Sequence, residues 1–327
     1  MNLGQYGHRP GIIRPPSFGP GGYLTPVSGQ PVITANATGV ATLFYTPDCH
    51  NTLPVLRAGV FDALPFGEVE VPLAGLSANS IYDLMAYWDG RNVKIGWSPA
   101  WQVAAVASGD RGVGLGTPEL MRCDGLMVNK NPIVISINGE SRAIGAGAGT
   151  YLASVMTDGV AGQTTCHRSA GQSRKWGVWN AYNRRSIILS VSDPSTFWSY
   201  AGALRASRND SANCMFTFTG LPEGSLDFRC SQTVLGFATN NQQFSPAIGI
   251  GFNSTTAASG KSGGGSMQAA GGDGTSISWS LDLDGSYSAP PSLGANRITF
   301  LESNLPSTPP AQFWGAGRML MTGEFRG

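Results

Sequence analysis

No part of this chain keeps a helical period for long before a glycine or proline interrupts it. The 327 residues include 45 Gly and 21 Pro, about a fifth of the chain where ordinary usage gives about 12%. Glycine weakens a helix interior and proline breaks it, so long helices are excluded. The segments between these punctuators are short and rich in β-branched and aromatic residues, which suit a pleated, half-buried surface. Residues 42–46, 68–71, 81–88 and 93–97 read as strands in the first third of the chain. Residues 126–128, 133–137, 151–155, 187–191, 215–218, 226–229, 247–252, 277–281, 298–301 and 319–321 do so in the remainder. Asp89-Gly90 between two such runs is a hairpin signal. Short strands at this spacing predict an all-β protein with an antiparallel β-sandwich or jelly roll.

The punctuators also mark the organisation. Residues 1–30 hold five prolines and seven glycines without a period of 2 or 3.6, which predicts an extended docking arm. Its contact residues would be Tyr6, Arg9, Ile12, Ile13, Arg14, Phe18 and Tyr23. Residues 31–110 predict a smaller β domain and residues 111–327 the sandwich domain. The glycine-rich stretch 259–275 reads as a surface loop. Residues 174–185, with Trp176, Trp179 and Tyr182 three apart, predict one or two turns of helix.

Charge narrows the function. Lys and Arg number 21 against 20 Asp and Glu, a net charge of +1, so the broad basic footprint of a nucleic-acid binder is missing. No run approaches the ~18 apolar residues of a membrane span. Charged residues make up 13% of the chain, about half the usual share, which points to a surface covered by copies of the same chain. The first residues lack the pattern of a secretory leader, so synthesis is expected in the cytoplasm.

The chemistry-bearing motifs are thin. Cys49, Cys123, Cys166, Cys214 and Cys230 form an odd set without C-x-x-C spacing and read as free thiols. Cys49-His50 and Cys166-His167 are adjacent pairs whose side chains diverge on an extended chain. The triplets Gly112, Gly114, Gly116 and Gly145, Gly147, Gly149 read as turns rather than phosphate loops. Asp282-Leu283-Asp284-Gly285 lacks the downstream glutamate of a calcium loop and reads as a hairpin turn at Asp284-Gly285. None of His8, His50 and His167 lies in a nucleophile motif. No catalytic, cofactor-binding or metal-binding residue is assigned, and no enzyme activity is expected. One cluster stands out: Arg174, Lys175, Trp176, Trp179, Tyr182 and Arg184. It is either a stacking site for a host-surface glycan or a packed set of tryptophans with arginines at a subunit interface. Large aromatics at three-residue spacing favour the second.

A series of short motifs carries a resemblance. Ile81-Tyr82-Asp83-Leu84, Leu126-Met127-Val128-Asn129-Lys130-Asn131, Gly149-Thr150-Tyr151-Leu152-Ala153-Ser154, Gly162-Gln163-Thr164, Trp179-Asn180-Ala181-Tyr182-Asn183-Arg184, Phe197-Trp198-Ser199-Tyr200 and Gly249-Ile250-Gly251-Phe252-Asn253-Ser254-Thr255-Thr256-Ala257 occur in this order. Over residues 40–260 the chain resembles tailed-phage and prophage virion structural proteins. Ser169-Ala170-Gly171 and the glycines at 263–265 depart from that pattern. The resemblance implies a non-enzymatic structural protein located in the virion. It would be a homotrimeric tail-fibre-like or spike-like appendage docked through residues 1–30 on other tail, collar or capsid proteins. The alternatives are a receptor- or glycan-binding tip, and a head fibre or capsid decoration protein.

Overall fold

A computed structural model describes residues 19–239, 242–268, 277–305 and 309–327. Among them every regular element is a strand except the 3-10 turn Ser207–Asn209, so the chain is all-β, as its punctuation requires. Each run read as a strand from the sequence lies within one, except that the run 68–71 begins one residue before the strand Val69–Pro72. Ile81–Trp88 and Val93–Ala100 form the hairpin expected around Asp89-Gly90, where the Asp89 carboxylate accepts the Arg91 and Asn92 N–H groups, both at 2.7 Å. Among the described residues no helix is long and apolar enough to cross a membrane.

The first half is organised around an eight-stranded sheet. Its path runs Glu140–Ile144, Ile133–Ile137, Val93–Ala100, Ile81–Trp88, Thr150–Met156, Leu126–Asn129 and Leu120–Cys123, and Val178–Asn180 also pairs with Thr150–Met156. Thr150–Met156 is buried throughout and Ile81–Trp88 nearly so, because both faces are covered. With period 2, Tyr82, Leu84 and Ala86 enter one apolar cluster, whereas Ile81, Met85 and Tyr87 enter another.

The second half is a sandwich made from one curled sheet. On one side Cys214–Thr219, Gly294–Asn304 and Pro246–Phe252 are neighbours. On the other, Ile277–Ala289, Leu226–Ala238, Met319–Arg326 and Ser186–Val191 lie in that order. Ser259–Gly264 joins the two sides, pairing with Pro246–Phe252 and, through Lys261, with Ser286. The segment expected to be a loop is thus a corner strand as far as Gly264, and Met267–Gln268 is a further short strand; residues 269–275 lie outside the described residues. Its glycines permit close approach: a Cβ on Gly263 would stand 2.2 Å from the Asp284 carbonyl oxygen. The hairpin turn expected at Asp284-Gly285 is likewise replaced by uninterrupted strand, with Gly285 opposite Cys230. Glycine is used there because a Cβ would meet the Cys230 Sγ at 2.9 Å.

The boundary expected at residue 110 does not separate the sheets, since Ile81–Trp88 and Thr150–Met156 on either side of it are hydrogen-bonded neighbours. One apolar cluster also extends from Leu24 through Leu84 and Trp176 to Phe325. Residues 22–25, expected to be part of the arm, belong to the fold. Gly22–Thr25 pairs with Thr42–Pro47, and Tyr23 is 1% exposed, with its hydroxyl donating to the Gly327 carbonyl oxygen at 3.0 Å. The glycines before it serve close packing, because a Cβ on Gly22 would collide with the Tyr45 ring. Asn180 extends the pairing: its Oδ1 accepts the Leu24 N–H at 2.7 Å and its Nδ2 donates to the Leu24 carbonyl at 3.1 Å. Tyr6, Arg9, Ile12, Ile13, Arg14 and Phe18 lie outside the described residues.

A buried ion pair fixes the eight-stranded sheet. Asp83, within an otherwise apolar strand, accepts from Arg111 Nε at 2.6 Å and Nη2 at 3.1 Å, and from the Ser154 hydroxyl at 2.6 Å. The Arg111 guanidinium lies over the Trp101 ring at 4.1 Å. Breaking a buried pair from one side strands the other charge. Arg111→Met is therefore expected to lower the unfolding free energy in urea by about 3–5 kcal/mol, and a loss under about 1 kcal/mol would contradict this role.

Candidate functional site

The cluster around residues 174–184 is a structural joint, and the short helix expected there is absent. Arg174–Lys175 pairs in parallel with Met215 and Phe216, whereas Val178–Asn180 pairs with residues 153–155 of the eight-stranded sheet. The chain changes partner at Gly177, where a Cβ would stand 2.3 Å from the Thr164 Oγ1. That exchange buries both tryptophans at 1% exposure, closing the stacking surface that a glycan would need. Trp179 stacks on Tyr151 with centroids 6.3 Å apart and carries the Arg184 guanidinium at 5.2 Å. Tyr182 accepts the Met127 N–H at 2.9 Å. Arg174 donates to the Gln172 carbonyl at 2.7 Å, and Lys175 pairs with Asp158 at 2.5 Å.

A second polar centre, absent from the sequence reading, gathers between the two sides of the sandwich. Glu302 is fully buried and accepts from Trp198 Nε1 at 2.7 Å, Arg205 Nε at 3.0 Å and Nη2 at 2.9 Å, Ser207 Oγ at 3.2 Å and the Arg208 N–H at 2.9 Å. Nearby Asp193, also buried, accepts from Asn213 Nδ2 and the Ser195 N–H, both at 2.8 Å. Arg208 and Asn209 hold left-handed backbone angles, φ 59° and 53°, a conformation that persists only where its surroundings impose it. Glu302 imposes it by binding the Arg208 N–H. A carboxylate offers about four lone-pair sites, so Glu302 is saturated by its own protein and acts as a clamp on residues 205–208. Its sequence signal is a lone acid in the apolar run Ile298-Thr299-Phe300-Leu301.

A continuous run of exposed polar groups lies on the outer face of the long ribbon. Ile277–Ala289 alternates strictly, with Ser278, Ser280, Asp282, Asp284, Ser286 and Ser288 exposed. Register places Thr322, Arg229, Ser286 and Lys261 in one row across four strands. Leu320, Ser231 and Asp284 form the next row. Together they line a cup of ≈ 330 Å³ with Cys230 and Gly285 at its floor. Asp282 is occupied by the Thr233 hydroxyl at 2.7 Å. Burial pushes the Cys230 thiol up to about 12, so it stays protonated at neutral pH and supplies no thiolate to the cup. Among the described residues no group of three His, Cys, Asp or Glu side chains is placed to hold a metal ion.

No protein-family model matches the chain, and no curated protein matches it.

Trp179→Ala is expected to cost about 3–5 kcal/mol of stability, as loss of a buried aromatic does. Chemical denaturation monitored by fluorescence checks it, and an unchanged midpoint would contradict the joint. The buried carboxylates Glu302 and Asp193 should show opposite pH dependence. Burial raises the Glu302 carboxyl above its ordinary 4.5 despite its donors. Its contribution to stability is therefore fully present below that value and lost as pH rises through the folded pKa. For Asp193, burial pulls upward but the Asn213 and Ser195 hydrogen bonds outweigh it, leaving the carboxyl below its ordinary 3.8. Its contribution is present above that value and lost as pH falls. Urea unfolding across pH should show the wild-type advantage over Glu302→Gln shrinking as pH climbs, and that over Asp193→Asn shrinking as pH falls; the reverse slopes would refute the assignment.

Proposed function

We propose that this chain is a non-enzymatic structural component of a tailed-phage virion. In this reading it self-associates as a homotrimeric fibre- or spike-like appendage, and its N-terminal residues dock it on another particle protein. Residues from Gly22 onward belong to the fold, so docking falls to the segment before them.

The observation that carries self-association is the loop 112–117. Val113 and Leu115 are 80% and 83% exposed, the two barest large apolar side chains among the described residues. The loop holds its shape: Gly112, Gly114 and Gly116 adopt φ of 83°, 93° and 78°, and the Thr117 hydroxyl donates to the Gly114 carbonyl at 2.7 Å. Glu119, fixed by Lys130 and Asn131, accepts the Gly114 N–H at 3.4 Å. A firmly held loop presenting two apolar side chains loses little entropy when it docks. Elsewhere on the chain a groove of ≈ 460 Å³ offers the small side chains of Ala41, Ala74 and Ala161. A projecting knob and a separate groove on one chain make a heterologous contact, which closes into a ring when the rotation between copies allows. The trimer is one such ring.

Burying Val113 and Leu115 would contribute about 1.5–3 kcal/mol each. Light scattering of the purified wild-type chain is expected to give a trimer mass, and the double substitution Val113→Ser, Leu115→Ser a monomer with an unchanged circular dichroism spectrum. A wild-type monomer at micromolar concentration, or an unaltered oligomer in the double variant, would overturn this reading.

A further inference from the structure

We propose that the cup on the outer sheet face binds an acidic saccharide unit, one carrying a single carboxylate and neighbouring hydroxyls. The inference goes beyond the assembly reading and does not depend on it.

The cup is built by register rather than by a loop. Arg229 and Lys261 are exposed and stand on strands separated by the one that carries Ser286. Two inter-strand spacings put their backbones about 9–10 Å apart, and both side chains line the cup. Several cations are engaged within the fold, Arg111 with Asp83, Lys130 with Glu119, Lys175 with Asp158 and Arg205 with Glu302; others, such as Arg91, Lys94 and Arg142, are exposed but do not line the cup. Arg229 and Lys261 make no ion pair among the described residues, so their donors remain available. Two cations either side of a serine hydroxyl suit a carboxylate, which a guanidinium binds through paired N–H donors.

Asp284 decides between kinds of anion. It lines the same cup and, unlike Asp282, makes no side-chain hydrogen bond among the described residues. A carboxylate there repels the extra charge of a phosphate or sulfate dianion, whereas it accepts hydrogen bonds from hydroxyls. Ser231, Ser286 and Thr322 add hydroxyl groups that can donate or accept, and exposed Leu320 offers an apolar wall to the C–H face of a sugar ring. The ≈ 330 Å³ volume lies at the small end of ligand pockets, which fits one or two saccharide units of a longer chain.

Isothermal titration of the intact protein with tetragalacturonate, maltotetraose and inorganic sulfate at fixed ionic strength tests this. Tetragalacturonate is expected to bind and maltotetraose not to. Arg229→Ala and Lys261→Ala should each weaken tetragalacturonate at least about tenfold, the scale of one charge-assisted hydrogen bond, with an unchanged circular dichroism spectrum. Asp284→Asn should weaken tetragalacturonate and strengthen sulfate. The proposal is overturned if tetragalacturonate gives no binding, if either cation can be removed without effect, or if Asp284→Asn strengthens tetragalacturonate and sulfate alike, the mark of a simple anion site. The oligomeric state of each variant is read separately, so loss of binding in an intact oligomer is distinguished from failure of assembly.

Discussion

The thirteen-residue antiparallel ladder between Leu226–Ala238 and Ile277–Ala289 is the constraint on which the second half of the molecule depends. Strict alternation sends Phe228, Cys230, Val234 and Leu283 into the core and leaves Arg229, Ser231, Asp284 and Ser286 outside. A slip of one residue would exchange the two sets, exposing the apolar side chains and burying charges. Core and outer polar face are therefore two consequences of one register, and the cup is as well defined as the interior behind it.

Buried charge serves the same end in both halves. Asp83 in the eight-stranded sheet and Glu302 in the sandwich are both fully buried. Each is answered by an arginine and by hydroxyl donors. Arrangements of this kind contribute little net stability over an apolar core, but each ties named segments together. Asp83 ties residue 111 to the sheet, and Glu302 holds the left-handed turn at Arg208. Such saturated acids build the scaffold, while the chemistry directed outward lies on the surface.

The sequence made the strands legible, because runs such as residues 81–88 and 247–252 combine β-branched and aromatic content with flanking turn residues. Glycine was harder to interpret. At Gly90, Gly112 and Gly114 it supplies a left-handed turn, as its usual role suggests. At Gly22, Gly177, Gly263 and Gly285 it allows another strand or ring to approach, a tertiary fact with no local signature. This is why Asp284-Gly285 read as a turn and the segment around Tyr23 as an arm. Trp176 and Trp179 mimicked a helical period because the chain exchanges one strand partner for another between them. The outer face was legible in principle from the alternation Ser278, Ser280, Asp282, Asp284, but assembling the cup required Lys261 and Thr322 from strands remote in sequence.

The proposed assembly rests on two surfaces: the loop 112–117, which would face a neighbouring copy, and the ribbon face, which would be turned outward. A cryo-electron microscopy reconstruction of the purified oligomer measures both at once. The expected map shows three copies with Val113 and Leu115 inside the intersubunit contact, and Arg229 and Lys261 open to solvent. A monomeric particle, or an oligomer that covers the ribbon face and leaves the loop bare, would contradict the account.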